Sequence, residues 1–445
     1  MNKKIKWIMI QPLIGGEYIG TRDSLGCDAD MIISFPGLEG NEKSLHDYLE
    51  KKNVKMDYRY FEKGPFDYVL SDMDTPEVKN LVNEKEIENL DLVMAVPVCA
   101  GLSSGAKWGG EFGTPQEVRD ARNTNFNWIA NYTLGYLKPK VYCFENAYRL
   151  TTNFGEKQRL ELEEIAQKYG YSVTFARTNV LEHGTPQNRM RTFTVFWKWP
   201  NGKACLPPKI DYETNHVLLR EYLKMIPEEA TQKIPYKESD WKDPGYSMDY
   251  TKNIPLFKFL YSKFGDGWRQ RAYHQMSAER VIYDNDLAKE YIEFLHNDPT
   301  LTQEQADYLS KYVEKHDAKI KSGLGYFDRG ISYVSEEYVQ TIYGRSLSQI
   351  TLPDENRSLN MREAMWLMNM PMDFEYTGPL ELFITVIGQN VCPCAAKWIV
   401  NQIKYVLEDW DTRRTKTRNT GLLFGKPKNV EYFDNIAKTS SYRSF

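Results

Sequence analysis

Cys99 lies in the run Pro97-Val98-Cys99-Ala100-Gly101-Leu102-Ser103, directly after the apolar stretch Asp91–Val96. A cysteine is more often a small buried hydrophobe than a reactant. In a loop forced by Pro and Gly beyond a strand end, however, its thiolate would be exposed and able to attack carbon. A second candidate, Glu145-Asn146, closes the next apolar stretch, Val141–Phe144. The pair reads either as a helix cap or as a carboxyl that serves the thiol chemistry as acid or hydrogen-bond partner. The third group is His183-Gly184-Thr185-Pro186-Gln187-Asn188-Arg189-Met190-Arg191. Gln187, Arg189 and Arg191 alternate, so an extended chain would turn all three to one face. That face suits an anion or a base edge, with a solvated strand edge as the alternative.

The elements that must position these residues follow from hydrophobic patterning. Short apolar runs alternate with helical patterns through the first two hundred residues, which predicts a mostly parallel, Rossmann-like α/β sheet covered by helices. The expected strands are Ile5–Ile10, Ala29–Phe35, Asp91–Val96, Val141–Phe144, Ser172–Thr178 and Thr192–Trp197. Helices are expected over Val118–Leu137 and Lys157–Tyr169. In such a sheet, ligands bind beyond the carboxyl ends of the strands, where all three candidate groups fall. Further on, Leu359–Met368 reads as an amphipathic helix, Leu382–Val386 as a strand and Cys394–Leu407 as a closing helix.

The three blocks, in this order and each at a strand end, resemble the DNA cytosine carbon-5 methyltransferase family. The Pro-Cys loop, the Glu-Asn pair and the Gln-x-Arg-x-Arg block are its signature elements. Arg357-Ser358-Leu359-Asn360-Met361-Arg362-Glu363 is similar to its Arg-x-Leu-Thr-x-Arg-Glu helix, and Gly388-Gln389-Asn390-Val391-Cys392-Pro393 to its Gly-Asn-x-Val-x-Pro segment. The resemblance covers about 1–200 and 325–405. It implies that Cys99 adds to carbon 6 of cytosine, that Glu145 holds ring nitrogen 3 and the exocyclic amine, that Arg191 binds the base carbonyl, and that Arg189 braces the loop. It implies S-adenosylmethionine as cofactor, with contacts at Leu13, Gly15, Gly16, Ser34, Asp72, Pro97, Gln389, Asn390 and Val391. Contacts to flipped-base DNA are implied for Ser103, Asn146 and Gln187, although Asn146 also suits a structural role.

The match departs from the family around the cofactor. The family's Phe-x-Gly-x-Gly-Gly loop reads Pro12-Leu13-Ile14-Gly15-Gly16-Glu17 here, with two glycines and no aromatic. Ser34-Phe35-Pro36 stands where a strand-end carboxylate normally holds the ribose, and the nearest carboxylate is Glu39. Asp72 and Asp74, at the end of Tyr68–Ser71, fit the family's third-strand acidic position near adenine, or cap a loop. Ala100 replaces the glutamine that follows the nucleophile, and Gln389 an asparagine.

The chain has 445 residues, 41% hydrophobic and 27% charged, with a net charge of −4, the profile of an ordinary globular protein. That balance excludes a passive polyanion coat but leaves room for a local basic cleft. No apolar run reaches membrane-spanning length and no signal peptide is evident, so a bacterial or phage-infected cytoplasm is expected. The six cysteines (Cys27, Cys99, Cys143, Cys205, Cys392 and Cys394) lack zinc-type spacing, and no metal site is expected.

Four parts are expected: a catalytic domain over 1–202, a mostly helical target-recognition domain over 203–325, a return to the catalytic domain over 326–410, and a basic tail over 411–445. Arg269 and Arg271, with Gln270, Gln275 and Arg280, are the candidate base readers. The expected partner is double-stranded DNA, bound by a monomer, as in restriction–modification. Three alternatives stand beside this reading: an RNA cytosine methyltransferase of the same fold, an enzyme with an altered donor or pyrimidine, and an inactive DNA-binding relative.

Overall fold

The computed structural model describes residues 4–98, 101–102, 116–198, 218–227, 250–275, 278–322, 338–342, 351–352, 357–359, 361–378, 380–408 and 410. Cys99, Ala100, Ser103, Cys205, Asn360, the Pro207-Pro208 and Gly323-Leu324-Gly325 boundaries and the basic tail lie outside the described residues.

Seven strands form the central sheet in the order β3-β2-β1-β4-β5-β8-β6. They are β1 (Trp7–Ile10), β2 (Met31–Ser34), β3 (Tyr58–Tyr60), β4 (Leu92–Ala95), β5 (Val141–Ala147), β6 (Ser172–Asn179) and β8 (Met190–Trp197). The first five run parallel, and β8 lies antiparallel between β5 and β6. The strand segments WIMI, MIIS and LVMA are buried at every position, as strands covered on both faces must be.

Alternate residues divide between two cores. Trp7, Met9, Ile32, Met94, Cys143 and Phe193 face one side, where helices α1 (Gly16–Leu25) and α2 (Glu39–Lys51) pack with the helices Leu380–Gln389 and Pro393–Glu408. Ile8, Ile10, Ile33, Val93, Tyr142 and Phe144 face the other, against the helices Gln116–Tyr132 and Glu156–Tyr169. Five further helices between Tyr250 and Lys321 close around a core of their own, built on Leu260, Trp268, Ala272, Val281, Ile282 and Leu295.

Two expected strands are corrected. Leu382–Val386 lies inside the helix Leu380–Gln389. A short apolar run has no periodicity of its own, and here Phe383, Val386 and Ile387 are buried at three- and four-residue spacing, a helical stripe. Tyr68 and Val69 are irregular, and Leu70 and Ser71 open a 3₁₀ segment, Leu70–Asp74. The sheet's outer strand is instead Tyr58–Tyr60, a short segment without a continuous apolar signal. A small parallel pair, β7 (Gln187–Asn188) with β9 (Val339–Gln340), had no sequence signal. Among the described residues no helix is long and apolar enough to cross a membrane.

The connections run outward from β1 to β3 in one direction and from β4 to β6 in the other. The switch point between β1 and β4 therefore opens a crevice at the carboxyl ends of those strands. Its floor depends on close helix packing. A Cβ at Gly20 of α1 would lie 2.3 Å from the Pro393 carbonyl oxygen, and one at Gly16 only 1.9 Å from that of Val391. Gly20→Ala is expected to lower unfolding stability by about 2 kcal/mol through overpacking of this helix pair, measured by urea denaturation. A value near zero would mean that the contact is not held.

Candidate active site

Two segments flank the switch point. After β1 the chain turns through Gln11 (φ 55), Leu13 (φ 53) and Gly15 (φ 101). Left-handed backbone suits Gly15 and strains Leu13. Gln11 N–H donates to the Ile33 carbonyl at 2.8 Å and Gly15 N–H to that of Pro12 at 3.0 Å. After β4, Pro97 is buried and Val98 N–H donates to Asn125 Oδ1 at 2.9 Å. Asn125 in turn donates to the Pro65 carbonyl at 2.9 Å, so the segment that enters Cys99 is fixed on its amino side.

The adjacent strand β5 runs three residues further than its apolar core, to Ala147. Its partner β8 pairs Ala147 with Arg191 and Glu145 with Phe193. Glu145 is buried, on the same face as Cys143, and its Oε1 lies 2.7 Å from Arg191 Nε. Burial raises the Glu145 carboxyl above its ordinary range, opposed by the charges of Arg191 and Arg189. Asn146 turns to the opposite face, where its own Oδ1 accepts from Ala147 N–H at 2.8 Å.

Gln187 and Arg189 do not join Arg191 as a reading face, which corrects that expectation. Arg189 is buried, donating from Nη1 to the Ile342 carbonyl at 2.7 Å and from Nη2 to the carbonyls of Gly388 (3.0 Å) and Asn390 (2.6 Å). Gln187 is buried as well. Its amide donates to the Leu367 carbonyl at 2.6 Å and accepts from Ile342 N–H at 3.2 Å. Both side chains tie the strand region to the returning C-terminal segments, satisfying backbone carbonyls that would otherwise be costly to bury. Those carbonyl partners leave no trace in a sequence.

Asn390 extends the tie to the loop after β1, its Oδ1 accepting from Gly16 N–H at 3.0 Å. Val391 is buried and Gln389 exposed. At the end of β2, Ser34 Oγ donates to the carboxyl of Glu42, a residue of α2 that the strand-end pattern gave no reason to select. Glu42 is buried, and desolvation pushes its pKa up to about 8. Asp72 is drawn elsewhere, accepting from Val69 N–H at 2.9 Å and pairing with Lys63 at 2.9 Å. Loop capping is what the structure gives it.

Gln11 and Glu17 complete the surroundings of the loop. Both are fully buried, and none of their side-chain oxygens or nitrogens has a hydrogen-bond partner among the described residues. Buried polar atoms are ordinarily satisfied. Unpaired groups beside a left-handed glycine at a switch point fit a polar, charged cofactor such as the one implied by the sequence. In the helical block, Arg271 is exposed with its guanidinium 4.5 Å from the Phe264 ring, and Arg280 pairs with Asp284 at 3.2 Å. The helix carrying Arg269 is described and its side chain is not.

The family model for C-5 cytosine-specific DNA methylases matches residues 70–405. The Type II methyltransferase M1.HphI of Haemophilus parahaemolyticus is 30% identical over 146 residues, 33% of this chain and 37% of that protein. M.AplI of Arthrospira platensis, also a Type II methyltransferase, is 24% identical over 340 residues, 73% of this chain and 71% of the relative. A solved structure described as a DNA modification methyltransferase encoded within an E. coli prophage superimposes with a TM-score of 0.50 at 16% identity. It covers 91% of this chain and 99% of its own, and it shows the same fold.

Arg189→Lys, which cannot reach three carbonyls with one ammonium, is expected to cost about 2–4 kcal/mol of stability, read by chemical denaturation. Glu42 adds a pH signature. The unfolded carboxyl loses its proton near 4.5 and the folded one near 8, so the favourable contribution present below the lower value is lost as pH rises through the upper one. Calorimetry should find Glu42→Gln gaining on wild type between pH 5 and 8. A gap independent of pH would contradict the assignment.

Proposed function

The chain belongs to the C-5 cytosine-specific DNA methylase family, and from that membership we propose that it transfers a methyl group from S-adenosylmethionine to carbon 5 of cytosine in duplex DNA through Cys99. The observation that carries this reading is the pair of buried Glu145 with half-buried Arg191, Glu145 lying on the strand beside the segment that delivers Cys99.

Carbon 5 of cytosine is a weak nucleophile. Addition of the Cys99 thiolate at carbon 6 forms a sulfur–carbon bond and pushes an electron pair toward carbon 5. Glu145 faces the N3 and amino edge of the base, where a carboxyl held above its usual range can donate as well as accept. Arg191 fixes that carboxyl and offers its remaining donors to the base carbonyl, in a site where little water competes. Arg189 keeps the C-terminal segments closed behind them. Loss of the carbon-5 proton re-forms the double bond and expels the thiolate. None of these atoms can be reached in a stacked duplex, so the target base is turned out of the helix.

When bound, the donor supplies an electrophilic methyl group on a sulfonium. The residues that would hold it are the turn Gln11–Gly16, Glu17, Pro97 and Asn390. The helical block between 250 and 322, with exposed Arg271 and Gln270, is the proposed DNA-reading part.

DNA and tRNA from a host expressing the chain should be digested separately to nucleosides and weighed by mass spectrometry. The expected result is 5-methylcytosine in DNA alone, lost with Cys99→Ser and reduced about 100-fold with Glu145→Gln. Methylation confined to tRNA, a different added mass, or full activity in Cys99→Ser would each overturn the reading.

A further inference from the structure

Glu17 stands among the residues that would hold the donor, but no part of the donor has yet been assigned to it. It occupies the first turn of α1, directly after the glycine pair, and is fully buried. Neither carboxyl oxygen has a hydrogen-bond partner among the described residues. One turn along the same helix face, the buried Thr21 hydroxyl is likewise unpartnered, and so are both side-chain polar atoms of Gln11 on the far side of the loop. The neighbours of Glu17 in α1 are engaged elsewhere, Tyr18 with Asp28 at 3.0 Å and Ser24 with Asn401 at 2.5 Å.

A carboxyl serving only as core filler would be a poor choice. An apolar side chain of the same size would carry no unsatisfied atoms. A buried carboxylate is retained where a positive charge answers it, and among the described residues no cation is paired with Glu17. We propose, building on the function above, that Glu17 is the residue that recognises the positive charge of the methyl donor.

Its surroundings fix the direction of the proton. The titratable groups that act on Glu17 or feel it are Glu145, Cys143 and Tyr142 of β5. The guanidiniums of Arg189 and Arg191 act instead on Glu145 and on Cys392. Desolvation, with the like charge of Glu145, keeps the Glu17 proton on well above the usual carboxylate range. Entry of a cation reverses that preference. The O–H bond of Glu17 breaks, the proton passes to solvent, and the carboxylate remains to face the donor's ammonium and sulfonium end. Donor affinity therefore rises with pH up to the raised Glu17 value.

Isothermal titration of the full chain with S-adenosylmethionine at pH 7, in phosphate and in Tris, counts the protons released. Wild type should release about one proton more than Glu17→Gln, and the variant should bind the donor about tenfold more weakly. Gln reproduces the shape of the protonated acid, and a melting curve checks its fold. A second arm uses wild type alone. 5′-Methylthioadenosine shares the adenosine and sulfur but carries no positive charge, and should bind without releasing that proton. Equal proton release by wild type and Glu17→Gln, or the same release with methylthioadenosine, overturns the role of Glu17. Absence of any heat with S-adenosylmethionine in wild type overturns the donor reading itself, a distinguishable failure.

Discussion

Charge brought into the protein interior must be answered there, and the carboxyl edge of this sheet is organised around that requirement. Glu145 is buried and met by Arg191 at 2.7 Å. Arg189 is buried too, and carbonyls that arrive 153, 199 and 201 residues later in the chain accept its hydrogen bonds. Removing one partner from such an arrangement exposes the full desolvation cost of the other. The site and the return of the C-terminal segments are thus coupled: Arg189 can bury its guanidinium only with 338–342 and 388–390 in place.

The same tie reaches the cofactor side. Asn390 receives Gly16 N–H through its side chain and Arg189 through its carbonyl. The turn after β1 and the strand region that carries Arg189 are therefore braced against one residue. Chemistry that must place a thiol on one side of a pyrimidine and a donor on the other gains from such shared bracing, because orientation is fixed before either molecule arrives. The antiparallel strand β8 matters for the same reason. Inserted between β5 and β6, it brings Arg191 beside the end of β5, whereas a parallel strand would carry that end of the chain to the opposite edge.

Much of this was legible in the residues. Buried runs such as Trp7–Ile10 and Leu92–Ala95 have strand composition and length, and both cores follow from their alternation. Glu145 and Arg191 were each expected near the site, but the ion pair between them was not anticipated. Three things were hidden. Leu382–Val386 is a short, mostly apolar run, so only its packing reveals a helix. The partners of Gln187 and Arg189 are backbone carbonyls, which every residue possesses and none advertises. Glu42 was hidden differently. The pattern points to the end of β2, and the carboxyl that meets Ser34 comes from the following helix. Asp72 shows the reverse, an acidic residue in a suggestive position that a turn consumes.

Nucleophilic attack by one particular sulfur is the claim on which the account turns. The direct measurement is covalent capture on duplex DNA whose cytosines carry fluorine at carbon 5, where the adduct cannot release because no proton is available to leave. With donor present, the account requires a denaturation-resistant complex whose cross-linked peptide contains Cys99. Failure to capture DNA, or a cross-link through Cys27, Cys143, Cys205, Cys392 or Cys394, would contradict it.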